Sequence, residues 1–316
     1  MQVHFLAIIS SSFFFLVSLL VFPFFQGGDQ LAYRGFYQEV SGLNLFDAFD
    51  FYRGQLGTVE PFYFLFVYVL SPVFEKDMLL SLANFSLVYF VNLWLIRNKV
   101  NFFVYLLLVP NFYLVVLLFS AERLKFALLF FLMGLACRGY FRGLLFGFSV
   151  FAHIQVLMLV LVSRAKTAVM VIDGLIRGRL SRGFFVLLAT LFFLPVVFFV
   201  FYDHLTYKLT YYLSAGGVYS MIKPLFFMFA SIYYARGGKS EAFLASLPLV
   251  LISFFVGSDR VVIFSYFVFM YYGLRFNGGL NFLVLLSGAY FAFKGIDFIY
   301  RIFEFGDGFY GVSYNG

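Results

Sequence analysis

Charged residues are scarce in this sequence: they make up 12% of its 316 positions, whereas hydrophobic residues make up 63%. A soluble domain of this length could not bury so much apolar surface. Apolar runs of roughly 20 residues, the length that crosses a ~30 Å hydrocarbon layer as a helix, recur along the chain. The composition therefore predicts an all-α integral membrane protein, because helices bond their own backbone polar groups in lipid.

Cysteine and histidine are also rare. Cys137 is the single cysteine, so no disulfide can form within the chain, and the three histidines show no metal-binding spacing such as HExxH. No acidic pair of the DxD type appears, so we expect neither a metal nor another cofactor. The net charge of +7 comes from Lys and Arg in the links between apolar runs, which indicates membrane orientation rather than a nucleic-acid partner.

The apolar runs predict one polytopic domain over residues 1–316, a bundle of about nine to twelve hydrophobic helices. Residues 163–183 carry five basic side chains against one acidic one, which is typical of a cytoplasmic link. The polar segments 26–58 and 202–222 are expected to face outward. The first of them combines acids with aromatic rings, so it is either an amphipathic segment at the interface or a sugar-facing cap.

The basic residues create a conflict over topology. If every apolar run crosses, the positive-inside rule is broken by four residues, namely Arg97, Lys99, Arg138 and Arg142. They become cytoplasmic if two runs, 59–74 and 144–162, are re-entrant half-helices, and the second run can break near residues 147–153. Irregular backbone at membrane depth requires protein or a water-filled cavity around it, so half-helices would border an outward-facing cavity.

Six short segments occur in a notable order: GGDQLAYRGFY, VEPFYFLF, SAERLKFALLFFLMGLACRGYFRG, FAHIQVLML, KLTYYLSAGG and SDRVVIFSYF. This order resembles the EpsG-like and Wzy-type group of bacterial polysaccharide polymerases. That group shows a Gly-Asp-x-x-x-Tyr segment, a Glu-Pro and an Arg that each open a helix, a Phe-x-His-like pair and a late Arg-x-x-x-Tyr-like segment. The chain departs from it at Arg123, which is followed by Leu instead of the commoner Gln, and at His153, which lies two residues after Phe151.

The resemblance implies a multi-pass enzyme of the bacterial cytoplasmic membrane. Such enzymes transfer a growing glycan from undecaprenyl pyrophosphate to a hydroxyl of the next lipid-linked unit at the outer leaflet. The expected partners are the undecaprenyl-pyrophosphate-linked oligosaccharide and membrane lipid, together with chain-length-regulator and flippase proteins. Two other classes of membrane protein stay open: a flippase or other transporter of lipid-linked oligosaccharides, and a membrane acyltransferase that modifies glycans.

Glycosyl transfer needs a base for the acceptor hydroxyl and a cation for the leaving pyrophosphate. Glu60, Asp29 and His153 are the candidate bases, with Glu60 preferred over Asp29, since a carboxylate withdrawn from water gains basicity. The alternative for Glu60 is a residue that only begins a helix at Pro61, and the alternative for His153 is a buried, hydrogen-bonded side chain.

Arginine suits the pyrophosphate because its guanidinium stays protonated and binds phosphate oxygens in pairs. Arg123 and Arg260 each begin a predicted helix beside an acid, although an interfacial arginine at a helix end would look the same. Three tyrosines are candidates for lining the sugar path: Tyr37, Tyr211 and Tyr212.

Overall fold

The computed structural model describes residues 2–202, 205–206 and 216–311, and every regular element in these residues is a helix. The contacts between these residues divide the chain into two compact units. The first contains the chain up to Val156 and from Leu285 onward, and the second contains Leu157–Val284. The expectation of one domain over residues 1–316 stays a prediction.

The first unit contains nine helices and most of a tenth. They are α1 (Gln2–Val21), α2 (Asp29–Val40), α3 (Leu45–Leu56), α4 (Pro61–Leu70), α5 (Lys76–Arg97), α6 (Phe102–Leu108), α7 (Phe112–Phe119), α8 (Glu122–Ala136), α9 (Tyr140–Ala152) and the greater part of α16 (Phe282–Phe305). The second unit contains α10 (Leu157–Ser163), α11 (Ala165–Ile176), α12 (Arg182–Val200), α13 (Ile222–Tyr234), α14 (Lys239–Val256) and α15 (Val262–Arg275).

Among the described residues, five helical segments are long and apolar enough to cross a membrane, and the number rises to seven if each of two bent helix pairs is one span. The bent pairs are α6 with α7, at 52°, and residues 154–163 with α11, at 45°. In the most apolar stretch of α12, only 6% of the residues are buried inside the protein. Large apolar side chains exposed over a whole helix suit contact with lipid, so the described helices support the prediction of a multi-pass membrane protein.

The ends of three helices meet in the first unit. Arg34 of α2 donates to the carbonyl of Phe22 at 2.6 Å and pairs with Asp77 at 3.1 Å, so the end of α1 lies near the start of α5. Lys76 Nζ lies 2.8 Å from Glu122 Oε1, which brings the start of α8 to the same place. Helices α5 and α8 therefore begin together, and the basic residues that follow them lie toward their opposite ends.

Two predicted links contain helices in the structure. Segment 26–58 folds into α2 and α3, because Asn44 accepts hydrogen bonds from the backbone of Phe46 and Asp47, and Gly57 ends α3 in the left-handed region at φ 58°. Much of the basic link 163–183 is α11. The run 144–162 does break: α9 ends at Ala152, and His153 is extended, with φ −161° and ψ 115°.

Candidate functional site

Glu60 lies at the start of α4 and is fully buried. Pro61 occupies the first helical position, where its missing N–H leaves no bond unmade. Glu60 has extended backbone angles, φ −70° and ψ 101°, and its side chain makes no capping hydrogen bond to α4. The carboxylate instead points away from its own helix, toward α8 and the end of α9.

Arg123 supplies the positive charge of the site from the second residue of α8. Its Nη1 donates to Glu60 Oε2 at 2.6 Å, and its Nε donates to the hydroxyl of Tyr33 on α2 at 2.9 Å. Within the described residues, Nη2 donates no hydrogen bond. Because the side chain is 19% exposed, a ligand can reach the guanidinium while Glu60 and Tyr33 hold its other face.

His153 completes the cluster from the extended residue that follows α9. Its Nδ1 lies 2.7 Å from Glu60 Oε1, and its side chain is 12% exposed. An ionised Glu60 can only accept hydrogen bonds, so Nδ1 must carry a proton and donate it to the carboxylate. In the neutral ring Nε2 is then unprotonated, and it is the atom that can accept a proton from a ligand.

Hydroxyl groups complete the surroundings of Glu60. Thr58 and Tyr52 both donate to Oε2, the latter at 3.4 Å. Burial by itself disfavours the charged carboxylate, but Arg123, followed by His153 and Thr58, outweighs it and holds the pKa of Glu60 below its usual range. Burial raises the pKa of Tyr33 to about 12, although Arg123 acts in the opposite direction. The site thus consists of an anion, a guanidinium, an imidazole and neutral hydroxyls.

A second charged group lies on the other side of the first turn of α8. Glu122 is buried, accepts from the hydroxyl of Tyr63 at 3.2 Å and pairs with Lys76 at 2.8 Å, and Lys76 also donates to Gln30. Glu122 and Arg123 are adjacent in sequence but serve different partners. This pair fixes the start of α8 and hence the position from which Arg123 extends.

The structure brings three sequence-predicted residues together: Glu60, Arg123 and His153. No family model matches the chain, and no curated protein or solved structure was found that matches it. The assignment to the polymerase group therefore stays an expectation from the order of the six segments. The geometry of the cluster is an observation that does not depend on that resemblance.

The other predicted residues lie elsewhere or outside the described chain. Asp29 is exposed at the first residue of α2, and among the described residues that contact Glu60 it does not appear. Tyr37 is buried one turn after Tyr33. Arg260 is exposed in the turn before α15, in the second unit. Tyr211 and Tyr212 lie outside the described residues, and nowhere in the described part of the chain do three or more His, Cys, Asp or Glu side chains group as metal ligands.

Sequence reasoning missed several members of the site. Tyr33 is the tyrosine of the Gly-Asp-x-x-x-Tyr segment, and that position in the motif was the signal that could have identified it. Thr58 and Tyr52 carry no comparable signal, because hydroxyl side chains are common in segment 26–58. Lys76 follows an acidic residue at a helix start and looked like an ordinary helix-end lysine, although it is buried against Glu122.

Proposed function

We propose that this protein is a membrane glycosyltransferase that polymerises a polysaccharide. It transfers a growing glycan from undecaprenyl pyrophosphate to a hydroxyl of the next lipid-linked unit, at the outer leaflet of the bacterial cytoplasmic membrane. The supporting observation is that four of the six segments meet through Tyr33, Glu60, Arg123 and His153. Glu60 contacts Arg123 and His153 across 63 and 93 positions of sequence, and Arg123 contacts Tyr33 across 90.

In the proposed reaction, the acceptor hydroxyl oxygen attacks the anomeric carbon and the bond from that carbon to the pyrophosphate oxygen breaks. Arg123 binds the departing pyrophosphate through the part of its guanidinium that faces away from Glu60 and Tyr33. The proton of the acceptor hydroxyl passes to a base at the same site. The pyrophosphate leaves as an anion on its lipid, so charges and atoms balance without a nucleotide sugar.

His153 is the base that the geometry supports best. Both oxygens of Glu60 accept hydrogen bonds, Oε2 from Arg123 and Thr58 and Oε1 from His153, which stabilises the anion and weakens it as a proton acceptor. A carboxylate that accepts from Nδ1 fixes the tautomer and the orientation of the imidazole, as in hydrolytic triads. We therefore move the proton-accepting role from Glu60, the residue expected from the sequence, to Nε2 of His153, and assign Glu60 to orienting His153 and Arg123.

The same arrangement supports an outward-facing site within a bundle of nine to twelve hydrophobic helices. Glu60 and Lys76 flank α4 and both contact the first turn of α8, so the segment between them begins and ends on one side, as a re-entrant half-helix does. Helix α9 returns to that side, and residues 154–176 are a bent candidate span of their own. Counting α8 and α13 as crossings, together with these segments and the other apolar helices of the described residues, gives about eleven crossings, with α4 re-entrant.

The length of the glycan on the lipid carrier tests the function. In cells that lack this protein, we expect single repeat units linked to undecaprenyl pyrophosphate to accumulate on the outer leaflet. Absence of any unit outside would identify a flippase, and chains of full length would identify an acyltransferase. The cells are complemented with the wild-type gene and with an Arg123→Lys variant produced at the same level. This comparison distinguishes loss of catalysis from loss of the protein itself.

A further inference from the structure

A cavity of about 420 Å³ lies in the first unit between α2 and the start of α5. Helix α2 contributes Arg34, Tyr37 and Gln38, and the opposite wall consists of the turn 71–75 and the first residues of α5. Small-molecule sites in proteins typically measure roughly 300 to 1,000 Å³. The cavity is therefore large enough for a ligand, and the cluster around Glu60 does not use it.

Both cations on the wall of this cavity are paired with carboxylates. Arg34 pairs with Asp77 at 3.1 Å, and Lys76 is neutralised by Glu122 behind the wall. Glu75 adds a further negative charge at the lining. A phosphate group would find its cations already paired, whereas a ligand with many hydroxyls can both donate to the carboxylates and accept from the guanidinium.

Ser71 provides an independent sign of a missing polar partner. Its Oγ is buried at the cavity and has no hydrogen-bond partner among the described residues. Buried hydroxyls are bonded in the great majority of cases, so a ligand that supplies a donor or acceptor would satisfy it. Tyr37, which is itself buried, contributes an aromatic side chain to the same wall.

The cavity adjoins the proposed reaction centre through two elements. Tyr33 contacts Arg123, and Tyr37 lies one helical turn further along α2, about 6 Å by helical rise. On the other wall, Lys76 pairs with Glu122, the residue directly before Arg123. A molecule in the cavity would therefore lie beside whatever Arg123 binds.

We propose that this cavity binds a neutral pyranose ring of the lipid-linked glycan, next to the site where its pyrophosphate or acceptor hydroxyl reacts. The assignment rests on the proposed function for the identity of the glycan. The chemical class of the ligand, an uncharged polyol, follows from the paired cations and from the unpartnered hydroxyl of Ser71. Gln38 and Ser71 contribute amide and hydroxyl groups, and the Arg34–Asp77 pair contributes a donor and an acceptor that are held in place.

Two single cysteines on α2 test the site in the purified full chain with Cys137 replaced by Ser. Gln38→Cys lies at the cavity, and the matched control, Glu39→Cys, is equally exposed on the next residue but does not line it. N-ethylmaleimide labelling is measured with methyl glycosides of glucose, galactose, mannose or N-acetylglucosamine at millimolar concentration. We expect at least one glycoside to slow labelling of Gln38→Cys severalfold and to leave Glu39→Cys unchanged.

Inorganic phosphate and glycerophosphoethanolamine serve as competing probes in the same assay. Protection by either of them but by no glycoside would overturn the proposal in favour of a lipid headgroup, and protection by none would show that the cavity holds no sugar. Val73→Cys, exposed on the opposite wall, is a second reporter if Gln38→Cys is not produced. Protection should weaken about fivefold when Ser71→Ala is added, as expected for the loss of one hydrogen bond.

This assay measures binding and not polymerisation, so the two proposals can fail separately. Glycoside protection with normal polymer in cells that lack the protein would retain the sugar site and reject the polymerase. Single repeat units in those cells without glycoside protection would retain the polymerase and reject the cavity as its sugar site.

Discussion

Arg123 is the residue on which the proposed chemistry depends most. Its Nη1 donates to Glu60 and its Nε donates to the phenol of Tyr33, while one edge of the guanidinium stays exposed. A lysine ammonium carries the same charge but donates from one point, so it cannot make both contacts and still bind phosphate oxygens in pairs. Replacing Arg123 with lysine therefore keeps the positive charge and removes only the shape of the guanidinium.

We predict that Arg123→Lys loses polymerisation almost as completely as Arg123→Ala while its membrane level stays near that of the wild type. The lysine preserves a charge opposite Glu60. Alanine leaves that buried carboxylate without its cation, a change that costs about 3–5 kcal/mol in buried pairs, so its level should fall. Glycan length and immunoblots of the same membranes measure the two effects. Restoration of most chain length by lysine would mean that Arg123 supplies only local charge or an interfacial anchor.

Glu60 and His153 are predicted to act as one unit. Glu60→Gln should keep the size of the side chain but remove the anion that holds Nδ1, and His153→Asn should remove the base itself. Each should slow transfer by roughly 10²- to 10⁴-fold, the usual contribution of general-base catalysis. The double variant should be no slower than the slower single variant, because residues of one unit show strongly non-additive effects.

Transfer rates with purified protein and lipid-linked repeats measure this coupling. Multiplied losses in the double variant would show separate roles for the two residues. Near-normal polymer from Glu60→Gln alone would reduce Glu60 to a helix-start residue and turn attention to Asp29. Membrane levels of each variant are measured on the same samples, because Glu60→Gln leaves Arg123 without its buried anion and can also lower the amount of folded protein.

At the level of elements, local signals in the sequence predicted some features well. Pro61 identified the start of α4, and the apolar runs predicted the long helices because composition alone decides burial in lipid. Segment 26–58 was predicted as a polar outward loop, either amphipathic at the interface or a sugar-facing cap, although the cap at Asn44 and the glycine at position 57 are recognisable helix signals. Its amphipathic helices lack the long apolar runs that were the main criterion.

The partners within the site were beyond sequence reasoning for a different reason. The pairing of Lys76 with Glu122, or of Arg123 with Tyr33, depends on how α2, α5 and α8 pack, and no local pattern encodes such distant contacts. Among 23 tyrosines, the candidates for the sugar path were Tyr37, Tyr211 and Tyr212, whereas Tyr33 is the tyrosine that contacts Arg123. A shift of one helical turn was enough to separate Tyr33 from Tyr37.

Close packing of α16 gives a prediction about stability within the first unit. A Cβ added at Gly295 would lie 1.9 Å from the carbonyl oxygen of Pro110, between α6 and α7, whereas one added at Gly288 would meet Leu107 at an ordinary 3.5 Å. Gly295→Ala should therefore destabilise the protein by about 1–3 kcal/mol through overpacking, and Gly288→Ala on the same helix should not. Thermal unfolding of the two variants in detergent measures the difference, and equal melting temperatures would contradict this packing.

For the whole molecule, the side of the membrane on which each link lies follows from charge and from the first unit. Helices α5 and α8 begin together at the site, so Arg97 and Arg138, which follow their other ends, are expected on one side. The positive-inside rule makes that side cytoplasmic and the site outward. If residues 154–176 cross the membrane once, the basic residues after α11 lie on the same side as Arg97 and Arg138. The run 144–162 then does not have to be a re-entrant half-helix.

We therefore predict two sets of exposed positions, which single cysteines in a Cys137→Ser background can distinguish. In spheroplasts, a membrane-impermeant maleimide should label the outward set, which comprises Asp29, Asp259 and Lys208, the last of which lies outside the described residues. The cytoplasmic set should react only after the membrane is opened, and it comprises Arg97, Arg138 and Arg177. Labelling of permeabilised membranes is the control for reactivity at each position. Outside labelling at position 138 would place the turn between α8 and α9 on the outer face and the site on the cytoplasmic side, which contradicts the proposed outward-facing site.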